Sequence, residues 1–324
     1  MAMDDVNEVF ADCEDGFVAE TSTDDLCGAV ARECMRRWFK DVKCDERCNN
    51  FESRFVDFVS ELPDNVRIEV MKHFERFQYF SHKRTNALLE KIFLELNNLG
   101  CCDYDSTVYS HVPKSDGTAN SSIDLLIEFK QANAIPNECV AIDQSTLLDA
   151  AMMHAQTIVF VDDFCGTGNS FIKLFRDVNL GGIRNTKIVY AVVCCMEEGE
   201  KRVEKWGLDK GLHVEVISPV HLRACYEKGE CREKSLLVTW SREIGVKKDF
   251  ELGYKKTQAL VAFHSNTPNN TFGYIWSTSS NYEHSPLFPR KERGRPNWLE
   301  MAKKARMRKE SCYRSKVNGR SGTE

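Results

Sequence analysis

The sequence predicts an α/β fold: a parallel sheet with flanking helices, preceded by an α-helical N-terminal region. Two observations predict it. Residues 24–99 carry apolar side chains at helical spacing. From residue 105 onward, strand-like runs alternate with helical segments, and those runs are continuously apolar. Alternation of this kind is typical of a parallel sheet whose two faces are covered by helices.

The composition is that of a globular protein and excludes several other classes. The chain has 324 residues, of which 42% are hydrophobic, and a formal net charge of -5. Its longest apolar runs, such as IVYAVVCCM, fall far short of the roughly 20 residues that a membrane helix needs. The acidic N-terminus lacks the layout of a signal peptide. We therefore expect a cytoplasmic protein with no membrane partner.

The 14 cysteines do not form a recognisable disulfide or zinc framework. No CxxC pair occurs, and no histidine pair accompanies the closer cysteines at zinc-like spacing. Reduced, mostly buried thiols are the expected state in a reducing cytosol. The eight histidines show no ligand spacing either, so His264 and His284 are expected to be ordinary polar residues.

We divide the chain into a helical N-terminal region (1–100), a main domain with a C-terminal lid (101–290) and a basic tail (291–324). In the first region Pro63-Asp64 separates two helices, and Gly100 is a helix C-terminal signal. A helical cap or docking surface is the favoured interpretation, and a winged-helix DNA-binding module is the alternative. The predicted helices include FESRFVDFVSEL, NVRIEVMKHFERFQYF and KRTNALLEKIFLELNNLG.

The main domain reads as alternating strands and helices. The predicted strands are, in order, STVYSHV, ECVAI, TIVFV, TKIVYAVVCCM and LHVEVI. The predicted helices are IDLLIEFKQAN, STLLDAAMMHA, SFIKLFRDV and GEKRVEKWG. Residues 257–290 add two strand-like runs, QALVAFH and TFGYIW, which we expect to extend the sheet or to form a lid.

The candidate site lies in TIVFVDDFCGTGNSF, residues 157–171. We expect Asp162 and Asp163 at the end of a buried strand, where ligands bind in open parallel sheets. Two adjacent carboxylates would repel a bare phosphate, but they suit sugar hydroxyls or a divalent cation.

The loop after the two acids has the composition of an anion cradle. Its glycines allow close backbone approach, and free amides at the start of the following helix can bind a phosphate. Hydroxyl groups add further donors. Acids and loop together suit a ribose 5-phosphate. The loop residues are Cys165, Gly166, Thr167, Gly168, Asn169 and Ser170.

The stretch VFVDDFCGTGNS resembles the ribose-phosphate signature of type I phosphoribosyltransferases. The resemblance implies that Asp162 and Asp163 are the catalytic acids that hold the ribose hydroxyls, directly or through Mg²⁺, and that residues 166–170 hold the 5-phosphate. Two positions depart from the signature: Gly166 stands where Thr or Ser is usual, and Asn169 where Gly is usual. The upstream YSHVPKSDGTANSS occupies the place of the family's pyrophosphate loop, which implies roles for Lys114, Ser115, Asp116 and Gly117.

The later block, with TPNNT and PLFPR, resembles phosphoribosyltransferase-like proteins of bacterial conflict systems, some of them associated with retrons. The resemblance spans roughly residues 45–290. It implies an effector in antiphage defence that binds phosphoribosyl pyrophosphate or a nucleotide. Four residues become candidates for an acceptor or lid site: Asn269, Asn270, Trp276 and Arg290. Trp276 could stack on a base and Arg290 could pair with a phosphate. A core tryptophan and a surface arginine are the alternatives.

The C-terminal tail has the opposite charge to the rest of the chain. From Arg290 to Glu324 there are twelve Lys or Arg against four Asp or Glu, a balance of +8, so the remaining residues carry -13. A basic tail on an acidic body predicts contact with nucleic acid or with a nucleoprotein partner, such as a reverse transcriptase with its noncoding RNA. A solvated, partly helical tail is the alternative.

Other functions remain open on the sequence. DDFCGTGNS is also similar to the cofactor loop of amino-group DNA methyltransferases, but their Pro-Pro-aromatic motif is absent. A GxxxxGK[ST] phosphate loop is absent as well. The acids could simply cap a helix, or the fold could sense a nucleotide without catalysis. In a transferase of this type, the substrate loses pyrophosphate from its anomeric carbon through a cationic transition state. The enzyme needs no covalent nucleophile.

Overall fold

The N-terminal part of the chain is a group of four helices and one short strand. In this computed structural model they are α1 (Thr23–Trp38), α2 (Phe51–Ser60), α3 (Asp64–Arg76), β1 (Gln78–Phe80) and α4 (His82–Asn98). The structure describes residues 23–38, 45–113, 120–143, 155–176, 180–227, 229, 231–278 and 285–290. No helix within these ranges is long and apolar enough to cross a membrane.

The helical pattern predicted for this region is confirmed with one correction. Helix α2 buries Phe51, Phe55, Phe58 and Val59 on the predicted face. Gly100 follows α4 with φ 67°, as expected of a helix C-terminal signal. The run NVRIEVMKHFERFQYF, however, is not one helix. It leaves the helical conformation at Phe77 (ψ 133°), and its last three residues form β1, because they pair with a strand far along the chain.

A parallel sheet forms the centre of the molecule and confirms the predicted α/β class. Its strands are β2 (Thr107–His111), β3 (Thr157–Cys165), β4 (Lys187–Met196), β5 (His213–Ile217) and the short β6 (His221–Leu222). The strand order is β2-β3-β4-β5, β6 pairs with the end of β4, and every pair is parallel. The carboxyl ends of the strands therefore meet at one edge. This architecture is consistent with a type I phosphoribosyltransferase-like fold.

Helices cover both faces of the sheet. Helices α4 and α5 (Ser121–Ala132) lie on one face, and α6 (Asn169–Leu174) and α7 (Glu197–Lys210) lie on the other. Helix α8 (Arg232–Glu243) and the one-turn α9 (Gly273–Trp276) pack instead with the N-terminal helices. On one face, side chains of α4 and α5 such as Leu89 and Phe129 pack against Val159. On the other face, Phe171 of α6 and Val203 of α7 pack in one cluster with strand side chains such as Tyr190. Burial on both faces explains why these strands are continuously apolar.

Three further expectations are corrected. ECVAI is a 3₁₀ turn (Asn137–Cys139) with a single bridge from Val140 to Tyr109, because this short segment pairs with β2 at one residue only. TFGYIW forms α9 and not a strand. Helix α6 ends at Leu174, earlier than SFIKLFRDV predicts. The predicted helix STLLDAAMMHA lies almost entirely outside the described residues.

The late segment packs against the N-terminal helices. Strand β7 (Val261–Phe263) pairs in parallel with β1, forming a second, two-stranded sheet. One hydrophobic core joins Phe55 and Phe74 of the N-terminal helices to Tyr274 and Phe288. The segment that follows the main sheet thus folds back over residues near the start of the chain. This return brings residues around 254–270 to the edge where the strands end.

Candidate functional site

A cavity of about 320 Å³ lies at the carboxyl edge of the main sheet, beside the end of β3. Residues 165–170 form one wall. Additional lining comes from Lys173 on α6, Tyr190 on β4 and, from the late segment, Tyr254, Asn269 and Asn270. The structure thus brings the predicted phosphate loop together with two of the four candidate acceptor or lid residues.

The loop presents backbone donors toward the cavity. Within the described residues, none of the amides from Gly166 to Ser170 donates to a backbone carbonyl. The first amides of any helix lack an intrahelical partner, and beside a cavity such amides can donate to water or to an anion. The loop therefore has backbone donors available beside the cavity.

The two glycines of the loop are required by its surroundings. Gly168 has φ 69°, in the left-handed region, and a Cβ there would lie 2.5 Å from Cγ2 of Val203 on α7. A Cβ on Gly166 would collide with the side-chain amide of Asn270. Asn270 is held in place because its amide donates to the hydroxyl of Thr257 at 2.9 Å. The loop is thus clamped between α7 and the late segment.

Asp162 and Asp163 lie within the last four residues of β3, which continues to Cys165 and so runs beyond the predicted strand TIVFV. Asp162 as a residue is 8% exposed. The Tyr190 hydroxyl donates to Oδ2 at 2.8 Å, and the Asp163 amide donates to Oδ1 at 3.0 Å. Burial, with the neighbouring charge of Asp163, raises the pKa of Asp162 well above its ordinary value.

Asp163 lies toward the opposite face of the sheet and is only partly buried. Burial raises its pKa, and a side-chain hydrogen bond with Ser121 at the start of α5 partly offsets this rise. Neither aspartate lines the cavity directly, but Tyr190 contacts Asp162 and is itself a cavity residue. Asp162 is therefore linked to the cavity through Tyr190, whereas Asp163 contacts Ser121 of α5 on the other side of β3.

The regular alternation of side chains breaks near these acids. Phe164 packs in the same cluster as Val161, and the paired residue Cys194 packs in the same cluster as Val193. Cys165 then points to the other face, where the start of α7 lies. Both strands shift together, so their pairing is preserved while the chain is redirected into the loop.

Trp276 and Arg290 do not line the cavity. Trp276 is 5% exposed, and its indole N–H donates to the Thr271 carbonyl at 2.9 Å, so it is a core residue and does not present a stacking surface. Arg290 lies with its guanidinium carbon 5.7 Å from the Trp276 ring centroid and donates to the Thr267 carbonyl at 3.2 Å. The predicted pyrophosphate loop, Lys114 to Gly117, and the basic tail lie outside the described residues.

The sequence profile of the PRTase-CE family matches residues 46–290, which is most of the chain.

The chain belongs to the PRTase-CE family. It is therefore a phosphoribosyltransferase-like protein. The matched range begins before α2 and ends at Arg290, so it includes the N-terminal helices, the main sheet and the late segment. No curated protein sequence is significantly similar to the chain.

In this PRTase-CE protein, several residues of the site escaped the sequence analysis. Lys173, one turn into α6, brings a cation to the cavity, and its position after the loop is a signal that could have found it. Gly199 at the start of α7 is a contact that only the fold reveals: a Cβ there would lie 2.7 Å from the Gly166 carbonyl oxygen. The helix therefore positions the loop through backbone contact.

The segment 253–258 also escaped prediction. Three of its residues, Lys255, Lys256 and Gln258, have φ values of 57°, 56° and 57°. Left-handed backbone is costly for residues other than glycine and tends to occur near functional sites. Tyr254 belongs to this segment and lines the cavity, and Gly253 lies so close to the backbone of Asn270 that no side chain fits. The strained segment thus borders the candidate site.

Proposed function

We propose that this PRTase-CE protein binds phosphoribosyl pyrophosphate, or a nucleotide with a ribose 5-phosphate, in the cavity beside β3. The observation that carries the proposal is the run of five amides from Gly166 to Ser170, which donate to no backbone carbonyl of the described residues and belong to residues that line a cavity of about 320 Å³. Such amides would hold the 5-phosphate. Lys173 would neutralise part of its charge.

The acids divide the remaining work. We propose that Asp163 contacts the ribose hydroxyls or a Mg²⁺ ion, because it is the less buried of the two. Carboxylate oxygens are ligands that Mg²⁺ accepts, so the donor type fits the ion. Asp162 accepts hydrogen bonds from the Tyr190 hydroxyl and from the Asp163 amide. These contacts fit a supporting role, in which Asp162 holds Tyr190 at the cavity. The bound Mg²⁺ would supply charge neutralisation to the leaving pyrophosphate.

The proposed reaction is transfer of the phosphoribosyl group to an acceptor. The bond between the anomeric carbon and pyrophosphate breaks, and the new bond forms to the acceptor's nucleophilic atom. The chain's own residues would orient the ribose and screen the 5-phosphate, which is catalysis by positioning and electrostatics. A protein that only senses a nucleotide would bind the same ligand and release no pyrophosphate.

The resemblance to bacterial conflict systems supports a role as an effector in antiphage defence, and we include it in the proposal. The basic tail would contact a nucleoprotein partner, such as a retron reverse transcriptase with its RNA. Expression of the protein without that partner should then slow bacterial growth, and the effect should require an intact phosphate loop.

Calorimetric titration of the full chain with phosphoribosyl pyrophosphate and Mg²⁺ tests the binding. We expect saturable binding and a rise in melting temperature, since ligand at 100 times Kd stabilises the folded state by about 2.7 kcal/mol. Lys173→Ala should weaken binding at least about tenfold, which corresponds to a lost charge-assisted contact of about 1.4 kcal/mol. Lys91→Ala, an exposed lysine of α4, is the matched control.

Two results would contradict the proposal. One is the absence of a thermal or calorimetric response to phosphoribosyl pyrophosphate and to ribose 5-phosphate nucleotides. The other is a response to S-adenosylmethionine instead, which would favour the methyltransferase interpretation. Pyrophosphate release in the presence of candidate acceptors then separates transfer from sensing.

A further inference from the structure

A cluster of two histidines and a glutamate lies where the two-stranded sheet meets α4 and α5. His82 is the first residue of α4, His264 directly follows β7, and Glu128 belongs to α5. Each residue offers one potential ligand atom, and these three atoms lie within 4.8 Å of one another. The cluster does not include any residue of the cavity beside β3.

The fold explains why these residues converge. Phe80 and Phe263 are register partners in the parallel pair β1–β7, so the residues that follow both strands emerge at the same end. The His264 amide donates to the Phe80 carbonyl at 2.8 Å, which fixes the turn after β7. The rings of His82 and His264 then lie edge to face, with centroids 5.1 Å apart.

Two polar atoms in the cluster are buried without a partner. Oε2 of Glu128 and Nδ1 of His264 are inaccessible to solvent and form no hydrogen bond with any residue that the structure describes. Native proteins rarely leave such atoms unpaired, and a bound ion or water is a common partner for them. The other oxygen of Glu128, Oε1, lies 3.9 Å from Nε2 of His82.

We propose that His82, Glu128 and His264 form a binding site for Zn²⁺ or a similar divalent transition metal. Imidazole nitrogens with one carboxylate are a ligand set that such ions prefer, whereas Mg²⁺ prefers oxygen ligands alone. With metal–ligand bonds of about 2.1 Å, tetrahedral ligand atoms lie about 3.4 Å apart. The observed separations must therefore shrink by at most about 1.4 Å. Rotation of the exposed His82 side chain can shorten the two distances that involve it.

A neighbouring residue already orients one ligand. The amide nitrogen of Asn86 lies 3.4 Å from Nδ1 of His82, one helical turn away on α4. This contact leaves Nε2 of His82 directed toward Glu128. Residues that hold the second nitrogen of a metal-bound histidine are a regular part of such sites.

A metal at this position would join three separate elements. It would tie the start of α4 and the end of β7 to α5, which also carries Ser121, the hydrogen-bond partner of Asp163. The site is thus placed to stabilise the contact between the two sheets, because an ion that binds only the folded state shifts unfolding. The inference is independent of the proposed phosphoribosyl ligand.

Metal binding to the full chain tests the site. Protein stripped with a chelator is titrated with Zn²⁺ by calorimetry, in a buffer that contains excess Mg²⁺ to saturate oxygen-only sites, and with Co²⁺ by visible spectroscopy. We expect one ion per chain, a higher melting temperature and a Co²⁺ spectrum without thiolate charge transfer. His82→Ala, Glu128→Gln and His264→Ala should each abolish this stoichiometric binding, and Asn86→Ala should weaken it by about tenfold.

His221→Ala is the matched control, because His221 also contacts a glutamate, Glu200 at 3.2 Å, but lacks a second histidine in the described structure. It should bind the ion like the wild type. Three results overturn the proposal: no stoichiometric binding, equal binding by the cluster variants, or thiolate bands with Co²⁺. If His264→Ala does not fold, the exposed position His82 decides the question, since its replacement leaves the core intact.

Discussion

At the scale of single residues, Asp162 combines burial with a charged neighbour, and this predicts how stability depends on pH. The folded state raises the pKa of Asp162 above its unfolded value of about 3.9. A carboxyl group whose pKa is raised by folding contributes its full share of stability when the pH is below its unfolded pKa. That stability is lost as the pH rises through the folded pKa. The free energy of unfolding should therefore fall above about pH 4 because of this group.

Asp162→Asn should remove this loss while keeping an oxygen that can accept from Tyr190. We expect the ligand-free variant to be more stable than the wild type at pH 7 by at least about 1 kcal/mol, with the difference vanishing near pH 4. Urea unfolding at several pH values measures it. Asp57→Asn, an exposed position on α2, should show no such trend. A pH-independent difference would contradict the explanation.

Gly199 gives a second prediction at this scale. A methyl group there would lie 2.7 Å from the Gly166 carbonyl oxygen and 3.1 Å from Cys165 Sγ, so Gly199→Ala must displace the phosphate loop. We expect affinity for phosphoribosyl pyrophosphate to fall at least about tenfold, the equivalent of about 1.4 kcal/mol. Glu198→Ala, its exposed neighbour in the same turn, is the control for helix effects. Unchanged affinity in Gly199→Ala would contradict the proposal that this loop binds the ligand.

At the scale of elements, the sequence predicted what local pattern determines. The strands and helices of the main sheet, from STVYSHV to LHVEVI, follow from continuous apolar runs and their spacing, and most are confirmed. Strand β1 could not be predicted, because QYF continues a helical pattern and becomes a strand only by pairing with residues 261–263. The candidate loop 165–170 was identified from its own residues, and Lys173 could have been identified from its position just after them, whereas Tyr254 and Gly199 are brought to the site only by the fold.

The join between the N-terminal helices and the late segment depends on one aromatic side chain. Phe288 stacks on Phe77 and Tyr79, each with a centroid distance of 5.3 Å, and on Phe51 at 5.7 Å. Phe288→Ala should therefore lower the free energy of unfolding by about 3 to 5 kcal/mol, as for other buried phenylalanines. Leu208→Ala, at a side chain that is 79% exposed, is the control.

Chemical denaturation measures both variants of this pair. If Phe288→Ala lowers stability by no more than the control does, the late segment is held elsewhere and the shared core contributes little. If it lowers stability as expected, the same loss should appear in the fluorescence of Trp38, which lies 6.0 Å from Phe288. If the overall unfolding transition and the change in Trp38 fluorescence occur at the same denaturant concentration, the two segments unfold together.

At the scale of the whole molecule, charge is distributed unevenly along the chain. Residues 290–324 carry +8, and the other residues carry -13. An acidic body repels nucleic acid, so any affinity for RNA or DNA should reside in the tail. Deletion of residues 296–324 should therefore abolish binding to a single-stranded RNA probe while leaving the binding of phosphoribosyl pyrophosphate unchanged, because the cavity lies within residues 164–270.

Salt dependence distinguishes a nucleic-acid contact from a nonspecific loss. Each phosphate contact releases counterions, so the logarithm of the wild-type affinity should fall linearly with the logarithm of salt concentration, with a slope of about -0.7 per contact for a single strand. A full-length variant with glutamine at the lysines and arginines of 296–324 keeps the length of the tail and removes its charge. It should behave like the deletion. If either variant binds the probe as the wild type does at low salt, the tail does not contact nucleic acid.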